Sequence, residues 1–205
     1  MAGLREKQRE QRREAILGAA LVLFDSNGFS TTTVEQVAKA AGVSTPTVFN
    51  YFGNKQEILL ALVDRADRAA ISDIRQQLAH FDNAVDALCS LQAAVMRREL
   101  EALPLSIWRE ILAFGFTPGM NAVSQRLASQ VADLLRELQG RGMLNQDFDA
   151  GFVADFLNDY CGFLFAKLIQ QTSPDLDAHA RQVRGVAEVL FKGLSPSAPA
   201  TVPVH

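Results

Sequence analysis

Five side chains in the segment Ser44–Lys55, STPTVFNYFGNK, have types and spacing suited to chemistry with a nucleic acid: Thr45, Thr47, Asn50, Tyr51 and Lys55. A threonine offers a methyl group to thymine or a hydroxyl to a base edge. An asparagine matches the donor–acceptor pair of adenine, and tyrosine and lysine suit phosphate oxygens. Catalytic chemistry has no comparable set. His80 and His179 fall on helical or linker stretches, His205 is terminal, and no Ser, Cys or carboxylate is patterned with them. A Gly-rich nucleotide loop is absent. Cys89 and Cys161 sit singly on apolar helical patterns and read as buried free thiols. Without Cys/His ligand spacing, neither a metal nor a cofactor is expected.

The elements that must position this set are short helices. Thr32 or Thr33 can cap the first, with Glu35 or Gln36 three residues on to close a capping box. Val34, Val37, Ala38 and Ala41 then share one stripe. Gly42 suits the left-handed position after a helix. Ser44 can cap the second helix, Pro46 falls in its first turn, and Val43 and Val48 stand where a hydrophobic staple forms. Val48, Phe49 and Phe52 serve as anchors, which leaves Thr45, Thr47, Asn50 and Tyr51 outward. Gly53-Asn54 ends the helix and Lys55 opens the next. Two helices joined by a tight turn, one supporting and one aimed outward, form a helix-turn-helix layout.

Residues from about Arg12 to Leu60 resemble the DNA-binding domain of the TetR family of bacterial transcriptional regulators. The resemblance rests on Ala15-Ile16-Leu17 through Leu23-Phe24, Gly28-Phe29, Thr32-Thr33-Val34, Val37-Ala38, Ala41-Gly42-Val43-Ser44, Thr47-Val48-Phe49, Tyr51-Phe52 and Lys55. It covers about a quarter of the chain strongly and the rest only in length and helical character. It implies an all-α fold of about nine helices: a three-helix DNA-binding head over 1–54, a helical effector-binding and dimerisation domain over 55–193, and a Pro/Ser/Ala-rich tail over 194–205 read as disordered. It implies further that Thr45, Thr47 and Asn50 approach bases, that Tyr51 and Lys55 grip phosphates, and that Pro46 packs on a thymine methyl or sugar edge. Thr33 is expected to anchor a phosphate through its hydroxyl and the helix N-terminus. Glu35 departs from a basic side chain found there in some members, which leaves its own contact open.

The charge distribution agrees in direction. The chain carries net charge −3, yet residues 1–55 hold seven Lys/Arg against five Asp/Glu, and the remainder thirteen against eighteen. A modestly basic head precedes an acidic body. The start, LREKQREQRREAILGAALVLFD, mixes Glu with Arg and places Ile16, Ala19, Ala20, Leu23 and Phe24 at helical spacing, so it reads as a first helix rather than an export signal. No apolar run reaches the roughly 20 residues that cross a bilayer, and the expected location is the cytoplasm without membrane contact.

Beyond Lys55 the pattern is helical throughout. Helices are expected over about 55–78, 83–100, 105–114, 121–139, 149–171 and 175–192, with breaks at Pro104, Gly115/Pro118/Gly119, Gly140/Gly142 and Thr172-Ser173-Pro174. The helix at 149–171 is apolar on more than one stripe, and so is the last helix. Each must bury two faces, either as a central core helix of one subunit or against a partner subunit. Family members usually dimerise through their last two long helices, and the resemblance therefore points to a homodimer interface including Phe165, Ile169, Val186, Val189 and Leu190. Met96, Trp108, Phe114, Phe116 and Met120, with Phe156, Tyr160 and Phe163, are candidates to line an apolar effector pocket. The expected function is a ligand-responsive homodimeric repressor, released from a near-palindromic operator in double-stranded DNA by a small molecule. The alternatives are a DNA-binding protein of the same fold controlled by a protein partner or acting architecturally and, from another class, an all-helical enzyme or carrier.

Overall fold

The computed structural model describes residues 2–113 and 117–192. Phe114, Phe116 and the expected tail at 194–205 lie outside the described residues. Among the described residues the regular structure is helical: α1 (Ala2–Asn27), α2 (Val34–Ala40), α3 (Thr45–Phe52), α4 (Lys55–Gln77), a 3-10 turn (Leu78–His80), α5 (Ala84–Ala102), α6 (Leu105–Ala113), α7 (Pro118–Gly140), α8 (Ala150–Ile169) and α9 (Leu176–Lys192).

Local chemistry sets these limits. Asn54 caps α4 by accepting from Glu57 N–H at 2.9 Å. Asn83 caps α5 by accepting from Asp86 N–H at 2.9 Å, and its amide donates back to the Asp86 carboxylate at 2.8 Å. Asp149 accepts from Gly151 N–H at 2.7 Å to open α8, and Asp175 accepts from Ala178 N–H at 2.8 Å to open α9. α7 starts at Pro118, three residues before the expected Asn121. Thr117 accepts from Met120 N–H at 3.2 Å, and proline costs nothing at a first helical position.

The chain forms two compact units. One comprises Met1–Ala70 with Val95–Gln125, the other Ile71–Ala94 with Arg126–His205. This division differs from the expected 1–54 and 55–193. The first unit joins the head to α6: Ser30 Oγ, in the α1–α2 loop, donates to Glu110 of α6 at 2.9 Å. Its core gathers Ile16, Leu17, Ala20 and Phe24 of α1, Val37 and Ala38 of α2, Val48 and Phe52 of α3, and Ile58, Leu59 and Leu62 of α4. Burying a large aliphatic or aromatic side chain contributes about 1.5–3 kcal/mol, so the short helices α2 and α3 hold only as parts of this core.

In the second unit α8 packs on α9. Val153, Leu157, Cys161, Leu164 and Leu168 of α8 and Val183, Ala187 and Phe191 of α9 are buried. The wide apolar surface of α8 thus resolves into an inner row and an outer one. Phe152, Phe156, Tyr160 and Phe163, at helical spacing, are 71, 45, 37 and 58% exposed.

Candidate nucleic-acid interface

The supporting helix α2 begins at Thr33, whose Oγ1 accepts from Gln36 N–H while the Gln36 side chain accepts from Thr33 N–H at 2.8 Å. Of the two expected boxes, the one with Gln36 forms. Thr32, the other candidate cap, is buried and donates its hydroxyl to the Gly28 carbonyl at 2.8 Å. Gly42, at φ 68°, turns the chain from α2 into α3 in the left-handed region where a Cβ is costly. Ser44 accepts from Thr47 N–H, and its hydroxyl also shares a 2.8 Å hydrogen bond with the Thr47 hydroxyl.

These caps fix how α3 faces outward. Val48 and Phe52 are buried, so the opposite side of the helix carries Pro46, Thr47 and Asn50. Pro46 and Asn50 are exposed, and Thr45, Thr47 and Tyr51 are half-buried. The exposed set therefore presents one amide, one free proline ring and the outer part of Thr47. Phe49, expected as an anchor, is instead 45% exposed, because it lies one residue off the Val48/Phe52 row. Its ring adds an apolar contact surface beside Asn50 that sequence reasoning passed over; its helical phase was the signal that could have found it.

Two expected contacts find different surroundings. The Lys55 ammonium points inward, donating to the carbonyl oxygens of Phe29 at 2.6 Å, Thr32 at 2.8 Å and Ser30 at 3.3 Å, and lies 4.4 Å from the centre of the Phe29 ring. Its three N–H bonds are directed at the α1–α2 loop, whereas the resemblance implies a phosphate contact. Thr33 is exposed at the head of α2, but Glu35 stands beside it. Hydrogen bonds from Glu35's own backbone N–H and then from the Thr33 hydroxyl hold the Glu35 carboxyl below the usual range. Any phosphate at the α2 N-terminus meets that negative charge.

The remaining candidates divide between the two units. In the first, Trp108 is buried and donates its indole N–H to the Glu99 carbonyl at 3.0 Å, as a core residue does; Met96 and Met120 are half-buried. Phe156, Tyr160 and Phe163, expected in an apolar pocket, belong to the second unit and stand on the exposed row of α8. Of the expected interface residues, Ile169 is fully buried within the chain and is not available to a partner. Phe165, Val186 and Leu190 are half-buried, and Val189 is 81% exposed. No group of His, Cys, Asp and Glu suited to a metal ion occurs among the described residues. None of their helices is long and apolar enough to cross a membrane.

Residues 16–62 match the family model described as bacterial regulatory proteins, tetR family. The helix-turn-helix transcriptional regulator TcmR of Streptomyces glaucescens is 29% identical over 163 residues, covering 74% of this chain and 70% of TcmR. The regulator HbdR of Aromatoleum sp. (strain CIB) is 36% identical over 80 residues, covering 39% of this chain; the chain spans about a third of HbdR, 35% of its length. Among solved structures, Thermus thermophilus FadR, a TetR-family transcriptional repressor crystallised with lauroyl-CoA, superposes with a TM-score of 0.72 at 26% identity. That likeness covers 93% of this chain and 99% of FadR. The helix-turn-helix built by Thr33, Gly42, Ser44 and the Val48/Phe52 row is thus the DNA-binding segment described for the tetR family of bacterial regulatory proteins, matched here over residues 16–62.

Proposed function

We propose that the chain is a DNA-binding transcriptional regulator that acts as a homodimeric repressor on a near-palindromic operator. The observation that carries this reading is α3: capped at Ser44, anchored by Val48 and Phe52, and presenting Pro46, Thr47, Phe49 and Asn50 to solvent. A short helix held this firmly by one side has its outer side free for a major groove, with Asn50 suited to adenine. Tyr51, at the edge of this face, and Thr33, at the α2 N-terminus, are the phosphate contacts in this reading, and Thr45 is a flanking base contact.

The dimer would form on the outer row of α8 with Val186, Val189 and Leu190 of α9. A row of four large side chains between 37 and 71% exposed is unusual for a free surface and common at a subunit interface. Two identical heads related by a twofold axis then read two half-sites. The effector is a small molecule bound by the helical body, and an acyl-CoA-like ligand is one class to test, since FadR was crystallised with lauroyl-CoA. Such a ligand shifts DNA affinity only by its differential affinity for two conformers. The location is the cytoplasm. Selection of duplexes by the protein from a random-sequence pool tests the reading. A recovered near-palindromic sequence, bound far tighter than scrambled duplex, supports it, and recovery of no preferred sequence overturns it.

A further inference from the structure

The first half of α1 is left unused by the head. Ile16 is the first buried residue of that helix, and from Gly3 to Ala15 its side chains are exposed or half-buried. That is about 20 Å of helix standing free of the core. Only Leu4 among these residues is a large exposed apolar side chain, so the extension has no stripe with which to dock on a protein helix. Its charges are sorted by face. Glu6, Glu10 and Glu14 recur at four-residue steps on one side, while Arg5, Arg9 and Arg12 share another.

The acidic side is largely answered from within. Glu10 lies 3.7 Å from Arg13, and Glu14 lies 3.6 Å from Arg13 and 2.8 Å from Arg65 of α4. Arg5, Arg9 and Arg12 take part in no such pair among the described residues, so their guanidinium groups form a row of unanswered positive charge. The base of the extension is fixed beside the end of α3: the Arg13 guanidinium lies over the Phe52 ring, 5.6 Å from its centre. Residues 1–15 also precede the segment matched by the family model, which begins at residue 16.

From this we infer that the α1 extension is a second nucleic-acid contact, in which Arg5, Arg9 and Arg12 cover phosphates of duplex DNA adjoining the bases faced by α3. The inference rests on the DNA-binding reading above. Arginine suits it because it stays charged and meets phosphate oxygens with two parallel N–H donors. A contact of this kind adds affinity and salt dependence without base preference. It also gives the net-acidic chain, at −3 overall, a local anchor on a polyanion.

The test uses the full chain and two duplexes carrying the sequence it selects from a random pool: one trimmed to the selected bases, the other extended by ten base pairs at each end. The variant is the triple substitution Arg5→Gln, Arg9→Gln and Arg12→Gln, which keeps good helix formers. Wild type should bind the extended duplex several-fold tighter than the trimmed one, whereas the variant should bind both alike. On the extended duplex the slope of log K against log salt should fall by about 0.9 for each phosphate uncovered. Equal affinity and equal slope for wild type and variant on the extended duplex overturn the inference while leaving the DNA-binding reading intact. If wild type selects no sequence at all, that reading itself fails. Single charge reversal at Arg9, Arg9→Glu, provides a second variant and should lower affinity for the extended duplex in the same direction.

Discussion

The Lys55 ammonium lies 2.6 Å from the carbonyl oxygen of Phe29, a residue 26 positions earlier. With the Thr32 and Ser30 carbonyls it ties the first residue of α4 to the loop that leads into α2. These bonds would make Lys55 a positioning residue for the head, and Lys55→Met separates that role from the phosphate contact implied by the resemblance. The substitution leaves three carbonyls without their charged donor, and hydrogen bonds to charged groups contribute about 1.5–3 kcal/mol each. The melting temperature should fall by several degrees, while the salt slope of DNA binding, measured well below that temperature, should stay unchanged. A slope reduced by about 1 per head with melting unaltered would restore Lys55 to the phosphate.

Glu35→Gln tests the electrostatics at the α2 N-terminus. Glu35 is ionised below its usual range, held there by its own backbone N–H and the Thr33 hydroxyl. A fixed negative charge at that point opposes an incoming phosphate. Gln keeps the shape and removes the charge, so binding should tighten on every sequence alike, by severalfold at low salt and less at high salt. Weaker binding, or a gain confined to one base sequence, would show that Glu35 does not face the backbone.

The caps were legible in the sequence because they are local. Thr33 with Gln36, Ser44 with Thr47, and glycine at 42 and 53 are chosen by chemistry within four residues. The direction of Lys55 was not legible, because its partners are carbonyls in a loop more than twenty positions away. The two-sided character of α8 was clear from composition, but which side faces inward depends on α9 and cannot be read from α8 alone. For that reason Ile169 and Val189, both apolar and both expected at the interface, separate into a core residue and an 81% exposed one. The role of Phe156, Tyr160 and Phe163 is open from sequence for the same reason: an aromatic at helical spacing fits a pocket, a core or a subunit interface equally well.

The outer row of α8 provides the oligomer test. Phe163→Asp and Val189→Asp place a carboxylate where an apolar partner surface is expected. An uncompensated buried charge costs about 3–5 kcal/mol, enough to shift dimer dissociation by more than a hundredfold. Light scattering should give the dimer mass for wild type and the monomer mass for each variant at micromolar concentration. Dimer mass retained by both variants would move the interface off these helices.

A carboxyl pair, Asp67 buried and Glu99 half-buried, gives the stability of the first unit a pH signature. Asp67 of α4 is 3% exposed and hydrogen-bonds Glu99 of α5. Burial, then the Asp67 charge and that hydrogen bond, push the Glu99 carboxyl well above its ordinary 4.5. The folded chain thus keeps a proton that the unfolded chain releases above about pH 4.5, and stability falls as pH rises through that range. Glu99→Gln is neutral in both states and removes the penalty. The melting temperature of the variant relative to wild type should rise between pH 4.5 and pH 8. A difference that is flat or falls across that window contradicts the assignment.

The central claim is that the exposed face of α3 reads bases, and Asn50→Ala tests it most directly. Asn50 is exposed and makes no contact that holds the fold in the hydrogen bonds of α3, so its removal should leave folding unchanged. On the sequence the wild type selects, affinity should fall by about 1–3 kcal/mol, preference should relax at a single base position in each half-site, and affinity for scrambled duplex should not change. If Asn50→Ala binds the selected duplex as tightly as wild type and keeps the same preference at every position, α3 does not read DNA through this face and the account fails.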